Sequence, residues 1–513
     1  YSGNNLTIYF TGTGTLYPQQ IFIFVTNFIA PPSTATTANF ALYFMASGTY
    51  PRMVGYQSIT AFANTSLSGT VSVPTPTVNL PSTYNFSITT KDPITSNGQI
   101  KIAFPSVLTI APTPNCAGIV GSLMASSPTC AYSSADNSIT FTALNSSTAN
   151  IPAQTFTIAV SGITNPPSTK STDPFSVTTY YSGSNGAVDT GSVPGITPTK
   201  ATIDYTKVVI SASSLVNSDT GVSYFVSFVV NNALNVGSSV VLYFPPAVTF
   251  ALSAVSSQCQ VAINGGTAQP TTCSGSLGSQ YVFTFNNPFV AAATVGTNVT
   301  LGITGIATNP SNTQPFSPFS IFTYYSDTTL VASLENALSF ATTTPSSFSS
   351  SLYSRLSNTN AAITAYTLTL IQPADLEVNA RILVTFPSST QPQASSTCSI
   401  AYQGNTYGVG CTLSGSTFAV TGISTLITAG TPFSLTFSSV RNPYSFTALS
   451  GITALTKSAN NLYSYSSGPV TNALQDTTPT PLPPLPPTPP PPQPHPTPPP
   501  TPPLPPPPPP PTP

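Results

Sequence analysis

Along this chain apolar residues recur mainly at every second position. TFTIAVSGI from Thr155 and NVTLGITGI from Asn298 alternate with period two, as strands with one buried face require. The runs are short, rich in Val, Ile, Thr, Phe and Tyr, and separated by clusters of Gly, Pro, Asn and Ser. No apolar pattern of helical period lasts three turns. The pattern predicts an all-β protein. Seven or eight short strands in each stretch of about 140 residues match a two-sheet sandwich.

The same order of signals returns three times. A strand ending in Phe-Pro appears at Phe104-Pro105, Phe244-Pro245 and Phe386-Pro387, and proline, lacking an amide donor, ends each ladder. A cysteine pair follows, then the alternating runs SITFTAL, YVFTF and FAVTGI. An Asn-Pro corner comes next, at Asn165-Pro166, Asn309-Pro310 and Asn442-Pro443. The first two corners lead into the near-identical strands FSVTTYY and FSIFTYY, whereas the last unit has GITALTK there. The expected domains are a partial sandwich over 1–66, complete ones over 67–202, 203–342 and 343–475, and a Pro-rich tail over 476–513.

The first 66 residues match only the back half of a unit. YPQQIFIFVTNFIAPPSTATTANFALYF from Tyr17 parallels IPAQTFTIAVSGITNPPSTKSTDPFSVTTYY from Ile151, without a Phe-Pro strand or cysteine pair before it. Half a sandwich exposes an apolar face and an open edge. Two explanations follow: the sequence is a piece of a longer precursor, or another subunit's strands complete the sheet. In the second case the contact is expected at Ile21, Phe22, Phe24, Phe40, Leu42 and Phe44.

Composition narrows the function. Of 513 residues, 40% are hydrophobic but only 4% are charged, against a norm of about 25%. So little charge leaves the surface needing another solubilising coat or a permanent partner. The ten basic residues are scattered and form no stripe for phosphates, which argues against nucleic-acid partners. No apolar run is long enough to span a membrane.

The six cysteines form three pairs, Cys116/Cys130, Cys259/Cys273 and Cys398/Cys411, one per unit. Zinc would need tighter pairs or added histidines, and the one histidine is His495 in the tail. Disulfides are expected, which places the chain outside the cell or on its surface. N-linked sugars are expected at some of the sequons Asn5, Asn64, Asn85, Asn145 and Asn298. From Pro479 to Pro513, 25 of 35 residues are proline, and such a run adopts polyproline II. It is expected to pack on neighbouring subunits, carry sugars, or both. O-linked candidates are Thr480, Thr488, Thr497, Thr501 and Thr512.

Catalytic constellations are missing. A Ser-His-Asp or Cys-His arrangement needs a histidine among the folded units. Asp375 and Glu377 share a strand face, but spaced surface charges explain them better than a paired-carboxylate site. Asp189, Asp204 and Asp219 are too dispersed along the sequence to suggest calcium. Tyr180-Tyr181 and Tyr324-Tyr325 would suit sugar stacking, although one of each pair should face inward. Neither an enzyme nor a cofactor is expected.

The signature ITNPPST followed by DPFSVTTYY, after a Phe-Pro strand and a spaced cysteine pair, resembles the tandem repeats of secreted surface proteins of ciliates and other protists. The tail resembles hydroxyproline-rich glycoproteins of algal walls and flagellar hairs, and the combination is similar to mastigoneme and glycofibril subunits. The resemblance implies tandem Ig-like β-sandwich modules, one partial and three complete, followed by a polyproline II tail. It also implies a structural, glycosylated, self-associating extracellular protein. The alternative is an adhesin or glycan-binding protein on a Pro-rich stalk.

Overall fold

The computed structural model describes residues 40–46, 50–57, 63–116, 120–125, 128–145, 149–182, 185–444 and 449–472. These belong to two compact units, within Tyr1–Pro345 and within Ser346–Pro513. The first holds a hairpin and two β-sandwiches; the second holds one. Among the described residues the only helical turns are short 3₁₀ segments at Tyr205–Lys207 and Leu252–Ser257. The all-β expectation holds.

The hairpin pairs Phe40–Ala46 with Tyr50–Gln57, Phe40 opposite Gln57 and Phe44 opposite Met53. Among the described residues it forms a two-stranded sheet.

In the first sandwich one sheet runs in the order Thr65–Ser66, Asn185–Val193, Phe175–Ser182, Gln99–Ala103, Ser138–Thr142, Thr129–Ser133. The other runs Ser68–Ser72, Pro81–Thr89, Thr155–Thr164, Thr109–Asn115. Along Pro81–Thr89 the residues Tyr84, Phe86 and Ile88 are buried while those between them face outward. They meet Ile100, Ile102 and Phe175 from the opposite sheet in one core.

The second sandwich repeats this plan. Ala201–Thr202, Leu330–Phe340, Phe316–Tyr324, Ser239–Phe244, Tyr281–Asn286 and Cys273–Leu277 form one sheet. Val209–Ala212, Thr220–Val229, Asn298–Thr308, Cys259–Ile263 and Gln269–Pro270 form the other. Phe244 sits at the centre of its core, with edge-on contacts to Tyr224, Phe250, Phe283 and Phe319.

The third sandwich differs at its edges. Asn405–Ser414 pairs through Asn405–Val409 with Cys398–Tyr402 and through Gly410–Ser414 with Thr417–Thr421, so one strand joins both sheets. On the far side Ser464–Asn472 pairs with Ile452–Lys457 and also with Leu352 and Tyr353. The two sheets therefore form one continuous path.

Each Phe-Pro step ends a strand and starts a turn. The amides of Leu108, Val248 and Thr390 donate to the carbonyls of Pro105, Pro245 and Pro387. The divergent GITALTK stretch takes the same place as its cousins. Phe175–Ser182, Phe316–Tyr324 and Ile452–Lys457 each pair antiparallel with the Phe-Pro strand of their own sandwich.

Candidate functional site

The recurring polar feature is a buried clamp at the Asn-Pro corner. Tyr84, Tyr224 and Tyr366 donate their hydroxyls to Oδ1 of Asn165, Asn309 and Asn442 at 2.8, 2.7 and 2.7 Å. Nδ2 of each asparagine then donates to two carbonyls of the loop before the tyrosine strand. The acceptors are Thr75 and Thr77 (2.8 Å each), Ser214 and Val216 (3.0 and 2.7 Å), and Ser357 and Thr359 (2.8 Å each). Burial pushes the Tyr84 and Tyr224 phenols well above the ordinary tyrosine value.

The corner proline closes the same loop. Amides of Asn79, Ser218 and Ala361 donate to the carbonyls of Pro166, Pro310 and Pro443. These three donors have φ of 57°, 58° and 57°, so the loop turns through a left-handed residue each time. Sequence reading found the Asn-Pro step and missed its tyrosine. A signal was present: the tyrosine stands 20 residues before the Phe of Phe-Pro in every copy (104−84, 244−224, 386−366).

A second device was also missed. The register shifts in the strand after the corner, and a threonine holds the irregularity. Thr179, Thr323 and Thr456 accept from the amides of Asp189, Ala332 and Ser466 at 3.0, 3.1 and 2.9 Å. The sequence did mark them: Thr179 and Thr323 are the threonines of the repeated TYY, and Thr456 is the last threonine of GITALTK.

The corner loop also sets how the first sandwich joins the second. Thr199 donates to the Pro76 carbonyl at 2.9 Å and accepts from Val78 at 3.0 Å. Two residues later, Ala201 enters the second sandwich opposite Ala332. Lys200 between them pairs with Glu335 and holds that carboxyl below its usual range, with help from Ser333. Val78 is fully buried and belongs to the core cluster of the second sandwich. Nearby, the Thr169 amide donates to the Leu330 carbonyl at 2.9 Å, and Lys170 lies 3.9 Å from Asp327. No free linker separates these two sandwiches.

All three cysteine pairs form disulfides, Cys116–Cys130, Cys259–Cys273 and Cys398–Cys411. In the first two sandwiches each bond ties one sheet to the other. Such bonds belong to oxidising surroundings, and the protein is extracellular or displayed at a cell surface.

Among the sequons, Asn64 and Asn298 are exposed and Asn85 is half-buried on the outer face of Pro81–Thr89. Asn145 donates from Nδ2 to the Ala149 carbonyl. Asn5, Ile21, Phe22, Phe24, Thr480, Thr488, Thr497, Thr501 and Thr512 lie outside the described residues. Phe40, Leu42 and Phe44 lie on one strand of the hairpin, where only the backbone is described. Asp375 and Glu377 serve separate loops, accepting from the amides of Ala429 and Ala459. Tyr325 packs against the core and Tyr324 turns outward, as alternation requires, whereas in the first sandwich Tyr180 is half-buried and Tyr181 is exposed, so that pair does not place a ring inside.

No family model and no curated protein matches the chain. Solved structures give weak likenesses. A Corynebacterium diphtheriae protein described as membrane anchored is 10% identical, over 86% of this chain and 96% of its own, at a TM-score of 0.20. The C-terminal domain of the Streptococcus agalactiae AgI/II polypeptide BspA is 10% identical over 53% and 98%, at 0.20. The Enterococcus faecalis MSCRAMM ACE is 13% identical over 53% and 98%, at 0.16. Scores this low carry no argument about function.

Proposed function

We propose that this chain is a structural subunit of an extracellular, glycosylated filament or cell-surface coat. Its role is mechanical rather than catalytic. The observation that carries the reading is the join between the first two sandwiches, where a single residue separates Thr199, bonded to one sandwich, from Ala201, bonded to the next. A join of that kind transmits load and orientation, which a flexible linker would not.

Self-association comes from contacts between modules of neighbouring copies, with the Pro-rich tail bracing them. The hairpin Phe40–Ala46/Tyr50–Gln57 supports strand addition, because among the described residues it is a two-stranded sheet, and a sheet of two strands alone is marginal in water. Phe40, Leu42 and Phe44 remain the proposed contact within it. Sugars at Asn64 and Asn298 would supply the hydration that a surface with 4% charged residues lacks. A heterologous contact of this sort yields helical fibres when it does not close into a ring.

The competing reading is an adhesin on a stalk. Electron microscopy of native material, before and after deglycosylation, separates the two. Regular filaments whose repeat is shorter than the extended molecule are expected. Dispersed, beaded monomers with a thin stalk would sink the filament reading and favour the adhesin.

A further inference from the structure

The short strand that opens each sandwich runs parallel to a later strand of the same sandwich, and the facing pair differs from copy to copy. Thr65 lies opposite Asp189, Ala201 opposite Ala332, and Ser346 opposite Ser466. The first copy alone puts a carboxyl there, and that carboxyl is fully buried. A second acid joins it. Asp92 stands eight residues after the clamp tyrosine (92−84), where the second and third sandwiches have Asn232 and Ala374.

The three side chains meet at one oxygen. Thr65 Oγ1 is 2.5 Å from Oδ2 of Asp92 and in hydrogen-bond contact with Oδ1 of Asp189. A threonine hydroxyl has one hydrogen and cannot serve two carboxylate oxygens at once. Oδ2 of Asp189 faces two donors, the Asp92 amide at 3.4 Å and the Thr179 hydroxyl at 3.5 Å. None of the ion pairs among the described residues includes either aspartate. A buried carboxylate without a counter-charge is costly.

We infer that Thr65 and Asp189 are the two ends of an internal ester cross-link, formed with Asp92 as the base. The parts are those an acyl transfer needs. Thr65 Oγ1 attacks Cγ of the Asp189 carboxylic acid, and its hydrogen passes to the Asp92 carboxylate. The Asp92 amide and the Thr179 hydroxyl stabilise the negative charge that gathers on Oδ2. Oδ1 then leaves as water, carrying its own proton and the one held by Asp92. A hydroxyl and a carboxylic acid thus give an ester and one water, and nothing is oxidised or reduced. Groups held in contact react as though at roughly 10⁵ M or more, and a carboxyl with no exposed surface keeps hydrolytic water away. The finished ester leaves no charge in the interior.

The link changes what the opening strand can bear. Thr65–Ser66 is two residues long and is held to Asn185–Val193 by a short parallel pairing. A covalent bond there carries load from the opening strand directly into the later one. That role suits a filament and a stalk alike, so the inference does not depend on the choice between them.

Peptide mass spectrometry of the full chain, deglycosylated and reduced, tests it. Trypsin places Thr65 in Met53–Lys91 and Asp189 in Ser171–Lys200. The two should be found joined, one water lighter than their sum, and should come apart in alkaline hydroxylamine, which cleaves esters. Fragment ions should locate the bond at Thr65 and Asp189. Thr65→Val and Asp189→Ala should give the two peptides unjoined, and Thr65→Ser, which keeps the hydroxyl, should keep the link. Asp92→Asn should slow its appearance about a hundredfold or more. Unjoined peptides of unaltered mass in the native chain overturn the cross-link, a result that needs no variant to fold. A joined pair in Asp189→Ala would overturn the choice of acyl group, and a link formed at the native rate in Asp92→Asn would overturn the role of Asp92.

Discussion

The second and third sandwiches share a repeat but close their edges differently. In the second, Cys259 and Cys273 sit on strands of opposite sheets, and the disulfide is the bond that crosses between them at that edge. In the third, Asn405–Ser414 runs through both sheets, and Cys398–Cys411 staples a hairpin already held by backbone pairing. The same spacing of cysteines thus serves as a tie in one copy and as reinforcement in the other. What both copies keep unchanged is the Tyr-Asn clamp, which points to the corner as the part of the repeat that tolerates least change.

The largest expected effect tests that last point. Asn309→Ala would leave the Tyr224 hydroxyl and the Ser214 and Val216 carbonyls without their partner, at a cost of about 3–5 kcal/mol. Asn442→Ala should cost a similar amount in the third sandwich, read by denaturant unfolding. If the third tolerates its loss while the second does not, its continuous sheet rather than the clamp sustains it.

Disulfide removal comes next. Closing loops of 14 and 13 residues stabilises by roughly 3 kcal/mol each in the chain-entropy picture, so global losses should be nearly equal. Local behaviour should not be. In Cys259→Ser/Cys273→Ser chains, amides of Cys259–Ile263 and Cys273–Leu277 should exchange faster with solvent. In Cys398→Ser/Cys411→Ser chains, Cys398–Tyr402 should keep its protection. Equal fraying would erase the distinction between tie and reinforcement.

A smaller effect concerns Gln372. Its side chain is fully buried with neither amide end bonded, where the second sandwich has Val230. Gln372→Met keeps the volume and removes the unmet polar atoms, so the third sandwich should gain about 1–2 kcal/mol. An unchanged or lowered midpoint would show that the amide is satisfied in solution.

The smallest is at Ala361, which holds φ of 57° where the second sandwich has Ser218 and the first has Asn79. Glycine carries no Cβ penalty there, and Ala361→Gly should stabilise by about 0.5–1 kcal/mol despite its greater freedom when unfolded. A loss would mean the unfolded-chain entropy outweighs the relief.

Much of this was readable in the sequence. Period-two runs, prolines that end ladders and evenly spaced cysteines are local signals, and each appears where expected. Phe104, Phe244 and Phe386 announce both a strand end and a buried ring. GITALTK looked like a departure, yet Ile452–Lys457 takes the same place, because it keeps the alternation and, in Thr456, the threonine that holds the register shift. The tyrosines escaped notice because each partner asparagine lies 76 to 85 residues further on (442−366, 309−224).

The sequence by itself determined the strand-rich architecture, the three repeats and the pairing of the cysteines, because these follow from alternation, proline geometry and short-range spacing. Only the tertiary structure decided which tyrosine meets which asparagine, that Val78 completes the core of the next sandwich, and that the third sandwich carries one strand through both sheets. Those outcomes depend on groups far apart along the chain being brought into one dry interior. There an unpaired hydroxyl or carbonyl is costly, and composition alone gives no measure of that distance.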